Sequence, residues 1–285
     1  MELSKPPFRF SLSPGFTLIE MAIVLVIIGL LVGGVLVGND LIRAAGVRAT
    51  ISQIEKYNTA VNTFIGKYDA MPGDMNGQTA TRYGFTPRGA FAGQGDGNGM
   101  LQGPSSWGAG GLYPGGGETG LFWVDLSTAN GNNVNLIDGS FSTATITVPA
   151  ATVTTATMSS YLPPAKLGKG NYVYVGSFNN DNNNYWGISV PSTIGTSGIM
   201  TSTPGLTVLQ AYSIDTKIDD GVPLTGNVVA KYLPSNTWTT TANASPAVAA
   251  DCFDSTTAAG AYAINVAGTA SPCALSIKMQ AGIGN

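Results

Sequence analysis

Residues 16–38 read FTLIEMAIVLVIIGLLVGGVLVG, and this stretch decides how the N-terminal part of the chain folds. Glu20 is its single charged residue, and residues 21–38 carry no charge at all. As a helix rising about 1.5 Å per residue, the stretch reaches about 34 Å, which is enough to cross the hydrocarbon core of a bilayer. The alternative is a buried helix of a soluble protein, but an all-round apolar helix of this length needs a very large core. We therefore predict a transmembrane helix at residues 16–38.

The residues before this span argue against removal of the span itself. Residues 1–15 (MELSKPPFRFSLSPG) are short and carry Lys5 and Arg9. A secretory signal peptide has a small-residue cleavage site after its apolar core, and no such site follows here. Flanking charge leaves the orientation open, because Arg43 and Arg48 follow the span and balance the two cations before it.

The run GFTLIE at 15–20, followed at once by the apolar stretch, resembles the processing site of type IV pilins and type II secretion pseudopilins. The resemblance implies that a prepilin peptidase removes residues 1–15 by cleaving between Gly15 and Phe16, and methylates the new N-terminus at Phe16. The family often has Lys or Arg just before the cleaved Gly, whereas this chain has Pro14. The implied partners are this peptidase and methyltransferase, the inner membrane, and other pilin-like subunits in a helical filament.

Glu20 is the fifth residue after the expected cleavage, where the family carries a nearly invariant Glu. A carboxylate in an apolar span is costly, so a partner is expected. No Lys or Arg lies within a helical turn, and we therefore expect no ion pair within the chain. The resemblance implies the N-terminal amine of a neighbouring subunit as the partner, which makes Glu20 an assembly residue. The alternative is a carboxylate that reaches to the membrane interface.

A second helical pattern follows the span. Residues 40–67 are predicted to form an amphipathic helix packed against a globular head, and Met71-Pro72-Gly73 should end it. Its apolar stripe consists of Ile51, Ile54, Val61, Phe64, Ile65 and Tyr68. We therefore divide the chain into a leader (1–15), an N-terminal helix (16–67) and a head (68–285).

Turn-forming residues dominate the head, and short apolar segments predict its strands. The segments are 144–148, 172–178, 185–190, 228–233 and 261–267, with NNDNNN at 179–184 as a hairpin loop. Residues 206–218 predict a short helix that Asp219, Asp220 and Gly221 end. The expected fold class is α+β: a pilin-like long helix on a head with an antiparallel sheet.

Composition excludes several functions. The 285 residues include no His, which removes histidine triads and HExxH-type zinc sites. Only 13 Lys and Arg are present, so no basic face for nucleic acid is expected. No base pairs with a nucleophile in the sequence, and we expect no enzyme. Trp107, Trp123, Trp186 and Trp238 are candidates for a glycan-binding surface, although core packing is the more common use.

The glycine-rich segment 93–103 (GQGDGNGMLQG) is a candidate calcium loop. Calcium loops place oxygen ligands at alternate positions and a Gly at the sharp turn, and Asp96 and Asn98 with the following Gly fit that pattern. Gln94 and Ser105 stand where two strong carboxylate ligands belong. The alternatives are a plain glycine-rich loop, or a calcium site completed by Asp74 or Glu118.

Asp219 and Asp220, in KIDDGVPLTG at 217–226, are a second candidate for a cation site. The simpler interpretation is a helix end followed by a turn. This run, YDAMPGDM at 68–75 and GDGNG at 95–99 resemble segments that recur in uncharacterised pilin-like proteins.

Cys252 and Cys273 are the two cysteines of the chain. An exported head meets an oxidising compartment, so we expect a disulfide, with free thiols as the alternative. Many pilins carry a disulfide-bounded loop near the C-terminus, and the position of this pair agrees with that. Closing such a loop contributes about 3 kcal/mol in the chain-entropy model.

The expected function is a structural subunit of a type IV pilus or type II secretion pseudopilus. The subunit would sit in the inner membrane with its head outside the cytoplasm before entering a periplasmic pseudopilus or an extracellular pilus. The alternatives are a minor pilin acting as tip adhesin or binding module, and an enzyme anchored by one helix. Removal of 15 residues leaves 285 − 15 = 270, which is large for a major pilin by this resemblance.

Overall fold

The computed structural model describes residues 15–103, 115–127, 134–141, 145–177, 183–230, 252–254, 260–264 and 271–280. Residues 1–14, Trp107, Trp238 and most of the loop NNDNNN, on which some of the expectations rest, lie outside these ranges. The chain divides into two units, residues 1–43 and residues 44–285. Helix α1, Leu18–Tyr68, contributes residues to both units.

The first unit consists of the apolar half of α1. An 18-residue window of this helix has a mean hydropathy of 2.9, and none of it is buried by the residues that the structure describes. Among the described residues this is the one helix long and apolar enough to cross a membrane. The predicted long N-terminal helix is confirmed.

In the second unit, the remainder of α1 packs one face on the head. The predicted stripe is confirmed, because Ile54, Val61, Phe64 and Tyr68 are buried and the other two stripe residues pack against the core. The helix ends at Tyr68, and the following Asp69 has a left-handed φ of 52°. The chain then enters the Met-Pro-Gly segment, whose proline cannot continue a helix.

Two polar residues of α1 also hold the helix to the head. The Gln53 amide donates to the Pro164 carbonyl at 3.0 Å and accepts from the Lys166 N–H at 2.9 Å. Asn58 Oδ1 accepts from the indole N–H of Trp186 at 3.0 Å. Buried polar groups need such partners, so these contacts fix the position of α1 more narrowly than apolar packing alone.

The head contains an antiparallel sheet with six strands among the described residues. The strands are β1 (Val153–Thr154), β2 (Tyr172–Ser177), β3 (Asn184–Ile194), β4 (Met200–Thr203), β5 (Val228–Ala230) and β8 (Leu275–Lys278). Strand β3 is the centre of the sheet: its first half pairs with β2 and β8, and its second half pairs with β1 and β4. Strand β8 also pairs with β5. Strands β6 (Phe253–Asp254) and β7 (Ala261–Tyr262) form a separate pair.

A glycine on β3 lies against an aromatic ring of the neighbouring strand. Gly187 is paired with Tyr174 across β2 and β3. A Cβ atom at Gly187 would overlap the Tyr174 ring, which covers the bare backbone. The Tyr174 hydroxyl lies 2.9 Å from Ser189 Oγ, so the buried ring has a polar partner at its far end.

Helices surround the sheet. They are α2 (Gly77–Tyr83), α3 (Gly117–Leu126) and α4 (Val208–Ile218). The α4 helix was predicted from residues 206–218, and Thr207 caps it with Gln210 in a capping box. Every residue of α3 is buried. The Trp123 ring of α3 lies 5.2 Å from Tyr57 and 6.0 Å from Trp186, so aromatic rings from α1, α3 and β3 meet in one core.

One strand prediction is wrong in the part that the structure describes. Residues 146 and 147 form a bend, and residues 145 and 148 have no regular secondary structure, where a strand was expected at 144–148. Thr145 Oγ1 donates to the carbonyls of Thr147 and Val148, and the Thr147 carbonyl also accepts from the N–H of Gly117 at the start of α3. Local side-chain bonds of this kind compete with a strand ladder. The other four segments overlap β2, β3, β5 and β7, and β3 is longer at both ends than the segment expected at 185–190.

Candidate functional site

The predicted processing and assembly residues lie at the start of α1. Gly15 and Phe16 precede the helix, and Phe16 is 84% exposed. Glu20 Oε2 accepts hydrogen bonds from the Thr17 N–H at 2.8 Å and from the Thr17 hydroxyl at 2.7 Å. The Thr17 hydroxyl in turn accepts from the Glu20 N–H at 3.3 Å. Thr17 and Glu20 therefore form a capping box that closes the first turn.

This capping box changes the expectation for Glu20. The sequence contains no cation near Glu20. It does contain the S/T-x-x-E signature of a capping box, so a neutral partner for the carboxylate was available in the sequence. Hydrogen bonds from Thr17 orient the carboxylate without neutralising it. In an apolar environment the negative charge of Glu20 still requires a cation. The hydrogen bonds from Thr17 hold the carboxylate at the N-terminal end of the helix, where a cation has access to it.

The apolar half of α1 exposes side chains on every side of the helix. Leu18, Leu25, Leu30 and Val35 are each more than 60% exposed, and Leu41 is 66% exposed. Because this surface is not limited to one stripe, a single partner helix would leave much of it in water. It requires a lipid environment or several apolar neighbours.

The glycine-rich loop is organised around two buried carboxyl groups. Asp74 Oδ1 accepts from the N–H of Gly97 at 2.8 Å, and its Oδ2 accepts from the N–H of Gly99 at 2.6 Å. Glu118 Oε1 accepts from the N–H of Gly95 at 2.8 Å. Gly95, Gly97 and Gly99 have φ between 76° and 90°, a conformation that favours glycine and turns successive N–H groups inward.

Glu118, on α3, holds the loop through both of its oxygens. We call Asp74 and Glu118, with the loop N–H groups that they bind, the clasp. The second oxygen of Glu118, Oε2, accepts from the N–H of Gln102 at 2.8 Å. All four oxygens of Asp74 and Glu118 thus hold backbone N–H groups of the loop. Burial is the largest cause that raises the pKa of both carboxyl groups, and the charge of Asp74 raises the pKa of Glu118 further. The structure therefore assigns the YDAMPGDM and GDGNG segments to one local unit.

A buried ion pair lies beside the clasp. Arg88 Nη2 donates to Asp125 Oδ2, and both side chains are fully buried. Asp125 also accepts from the N–H of Gly73 at 2.6 Å, and Arg88 Nε donates to the Met75 carbonyl at 3.2 Å. Glu118 and Asp125 both lie on the buried helix α3 and anchor neighbouring segments.

The predicted calcium ligands fall into two separate acidic clusters. Asp96 has a carboxylate oxygen within 4.8 Å of oxygens of Asp74 and Glu118. Asn98 lies beside Asp96, to which its side-chain amide donates at 2.9 Å. Asp74 and Glu118 both lie at this loop, but their oxygens already accept N–H groups. Calcium binding here stays a prediction.

The second cluster contains Asp215, Asp219 and Asp220 at the end of α4. Asp219 Oδ2 accepts from the N–H groups of Asn227 and Val228, and Asp220 Oδ2 accepts from the Thr225 hydroxyl at 2.7 Å. These hydrogen bonds are typical of a helix end followed by a turn, which agrees with the simpler interpretation of this segment. Calcium binding at Asp219 and Asp220 stays a prediction.

Asp215 is the buried member of that cluster. Its Oδ2 accepts from the Tyr262 hydroxyl at 2.8 Å, and its Oδ1 accepts from the N–H of Gly221 at 3.1 Å. Burial raises the pKa of Asp215 to about 6, against the lowering effect of these two bonds. The contact joins α4 to strand β7.

The structure joins Cys252 and Cys273 in a disulfide with a Cα–Cα distance of 5.0 Å. Cys273 forms a β-bridge with Leu206, whereas Cys252 directly precedes β6. The bond therefore ties the β6–β7 pair to the segment that leads into β8. Trp123 and Trp186 are fully buried, so the glycan-surface interpretation is wrong for these two tryptophans.

Comparison with known proteins agrees with the N-terminal features. Residues 13–36 match a family profile described as the prokaryotic N-terminal methylation motif. No curated protein and no solved structure is significantly similar to the chain. The match covers the predicted cleavage site, Glu20 and most of the apolar span, and it fits a type IV pilin or pseudopilin whose helix anchors it in a membrane.

Proposed function

We propose that the protein is a structural subunit of a type IV pilus or of a type II secretion pseudopilus. A prepilin peptidase cleaves it between Gly15 and Phe16 and methylates the new N-terminus. The apolar part of α1 first holds the subunit in the inner membrane and then packs with the same part of other subunits in the filament core. The head remains outside the cytoplasm and is not a catalyst.

The observation that carries this proposal is the combination of the methylation motif with an apolar helix that no described part of the chain covers. The motif supplies the processing, and the exposed side chains of residues 18–42 supply the association. In a filament core, neighbouring helices cover all sides of each helix, as this surface requires. Glu20 then sets the register of adjacent subunits, because its carboxylate meets the N-terminal amine of a neighbour in a medium that penalises unpaired charge.

Substitution of Glu20 tests the register. In cells that carry the complete assembly machinery, Glu20→Ala is expected to leave membrane insertion and cleavage intact and to abolish incorporation into sheared filaments. Glu55→Ala is a matched control, because Glu55 lies on an exposed face of the same helix. Normal incorporation of the Glu20 variant would refute the register role, and an uncleaved precursor in the wild type would refute the processing step.

The second candidate is a minor subunit that caps the filament and acts as a tip adhesin or binding module. The size of the second unit, residues 44–285, favours it, because a large head is easier to place at a tip than in a repeating wall. The relative amount of the protein in sheared filaments separates the two candidates. A dominant band supports the major subunit, whereas a trace amount supports the minor one.

A further inference from the structure

A short turn of the head, residues 165–171, is fixed against α1. The Ala165 N–H donates to the Asn171 carbonyl at 2.8 Å and closes the turn. Gly46 of α1 approaches Leu167 so closely that a Cβ at Gly46 would lie 3.3 Å from the Leu167 Cα. Gln53 of α1 holds the start of the turn through the two hydrogen bonds with Pro164 and Lys166 described above. The turn is therefore a fixed part of the head surface beside Gly46 of α1.

The turn carries an isolated concentration of positive charge. Lys166 and Lys169 are exposed, and they are the only charged residues between positions 145 and 177. Lys166 also lines an open groove of about 460 Å³ with Lys56 and Asp138. The head as a whole has more acidic than basic residues, so this local excess of cations runs against its average.

The backbone of the turn gives a second reason to assign a role to Lys169. Its φ is 55°, between Gly168 at 75° and Gly170 at 74°. This is the left-handed region, which favours glycine and disfavours a residue with a long side chain. A lysine in the middle of two such glycines is a backbone outlier, and outliers of this kind are a reason to look for a function of the side chain.

The number of residues between the apolar span and Gly46 limits how far the turn can lie from the end of the span. Gly46 follows Gly38, the last residue of the apolar span, by eight positions, which is about 12 Å along a helix. The headgroup layer on one side of a bilayer is about 5–7 Å thick. Electrostatic attraction between exposed charges extends for about 8 Å at physiological ionic strength.

We propose that Lys166 and Lys169 bind anionic phospholipid headgroups beneath the head while the subunit waits in the membrane. This inference rests on the membrane-inserted state in the proposed function. Each cation near an anionic surface strengthens attachment about fivefold. The contact holds the head down until the subunit leaves the bilayer for the filament, where the lipids are no longer present.

Lysine footprinting tests the contact without altering the protein. The full chain is reconstituted in vesicles of phosphatidylcholine alone, or with a third of the lipid replaced by phosphatidylglycerol, and treated with an amine-acetylating reagent. Mass spectrometry is expected to show Lys166 and Lys169 reacting several-fold more slowly in the anionic vesicles, with recovery at high salt. Lys217, exposed on α4, is the internal control and should react equally in both.

The variant Lys166→Gln with Lys169→Gly gives a second measurement, and glycine at 169 fits the observed φ. Hydrogen exchange of residues 165–171 should be slower in anionic than in neutral vesicles for the wild type and for Lys217→Gln. The double variant should show no such difference. Equal lysine reactivity in the two lipids would overturn the proposal. Protection that grows with protein density rather than anionic lipid would also overturn it and indicate a neighbouring subunit.

Flotation and protease protection of residues 16–38 report insertion separately. Failure to insert would contradict the proposed function and this inference together, whereas insertion without lysine protection would contradict the lipid contact alone.

Discussion

Removal of the Glu118 carboxylate should release the glycine-rich loop. In Glu118→Ala, the N–H groups of Gly95 and Gln102 lose their acceptors in a buried environment. Each unsatisfied buried N–H costs about 1–3 kcal/mol, so the free energy of unfolding should fall by about 2–6 kcal/mol. Glu118→Gln retains one carbonyl acceptor and should lose about half as much. Against a typical total of about 5–15 kcal/mol, this loss is a large fraction of the stability.

Urea unfolding of the detergent-solubilised full chain measures this loss, and fluorescence of the buried Trp123 and Trp186 reports the transition. Hydrogen exchange should accelerate at Gly95 in both Glu118 variants. Glu55→Ala is the matched control and should change the free energy by less than about 0.5 kcal/mol. If Glu118→Ala costs no more than Glu55→Ala, the loop does not depend on the clasp and the reasoning is wrong.

The clasp also predicts a pH dependence. The folded protein raises the pKa of Glu118 and of Asp74 above their ordinary values of 4.5 and 3.8, so it binds protons more tightly than the unfolded chain. This contribution to stability is fully present below those ordinary values and is lost as the pH rises through the folded-state pKa values. The wild type should therefore lose stability from weakly acidic to alkaline pH, and Glu118→Gln should lose less. A wild-type profile as flat as that of the variant would contradict the prediction.

Three further predictions concern the rest of the head. Gly187→Ala forces a methyl group into the Tyr174 ring and should lower the free energy of unfolding by about 1–3 kcal/mol in urea titrations, whereas an unchanged midpoint would show that the ring moves freely. Reduction of the disulfide, or Cys252→Ser with Cys273→Ser, should cost about 2–4 kcal/mol, and equal Tm values with and without reductant would refute this. Excess calcium should raise the Tm if the glycine-rich loop binds it, Asp96→Asn should abolish the rise, and an unchanged wild-type Tm would exclude calcium there.

The N-terminal part of the molecule was predictable because its information is local. Hydropathy over residues 16–38 defines the span, and the spacing of apolar residues after it defines the buried face of α1. The capping box of Thr17 and Glu20 is equally local in the sequence. A charged partner was expected for Glu20, whereas Thr17 is a neutral one. Accounting for the unpaired N–H groups of the first helical turn identifies this neutral partner.

The interior of the head was less predictable for physical reasons. Helix α3 is buried on all sides, so it lacks the polar face from which a helical period is recognised. Asp74 and Glu118 are far apart in the sequence, and only tertiary structure brings them to the same loop. The segment 144–148 shows the opposite failure, because alternation suggested a strand where threonine side chains satisfy the backbone locally.

Strand β8 imposes an order of events on the folding of the head. It is the last strand of the described chain, yet it lies between β3 and β5 rather than at the edge of the sheet. A head that emerges N-terminus first must wait for residues 275–278 before these two strands find their common neighbour. Until then their edges remain open to foreign strands, a known route to aggregation. The sheet therefore gains its full set of pairings only when residues 275–278 have joined it, and a truncation that removes β8 would leave β3 and β5 without their common neighbour.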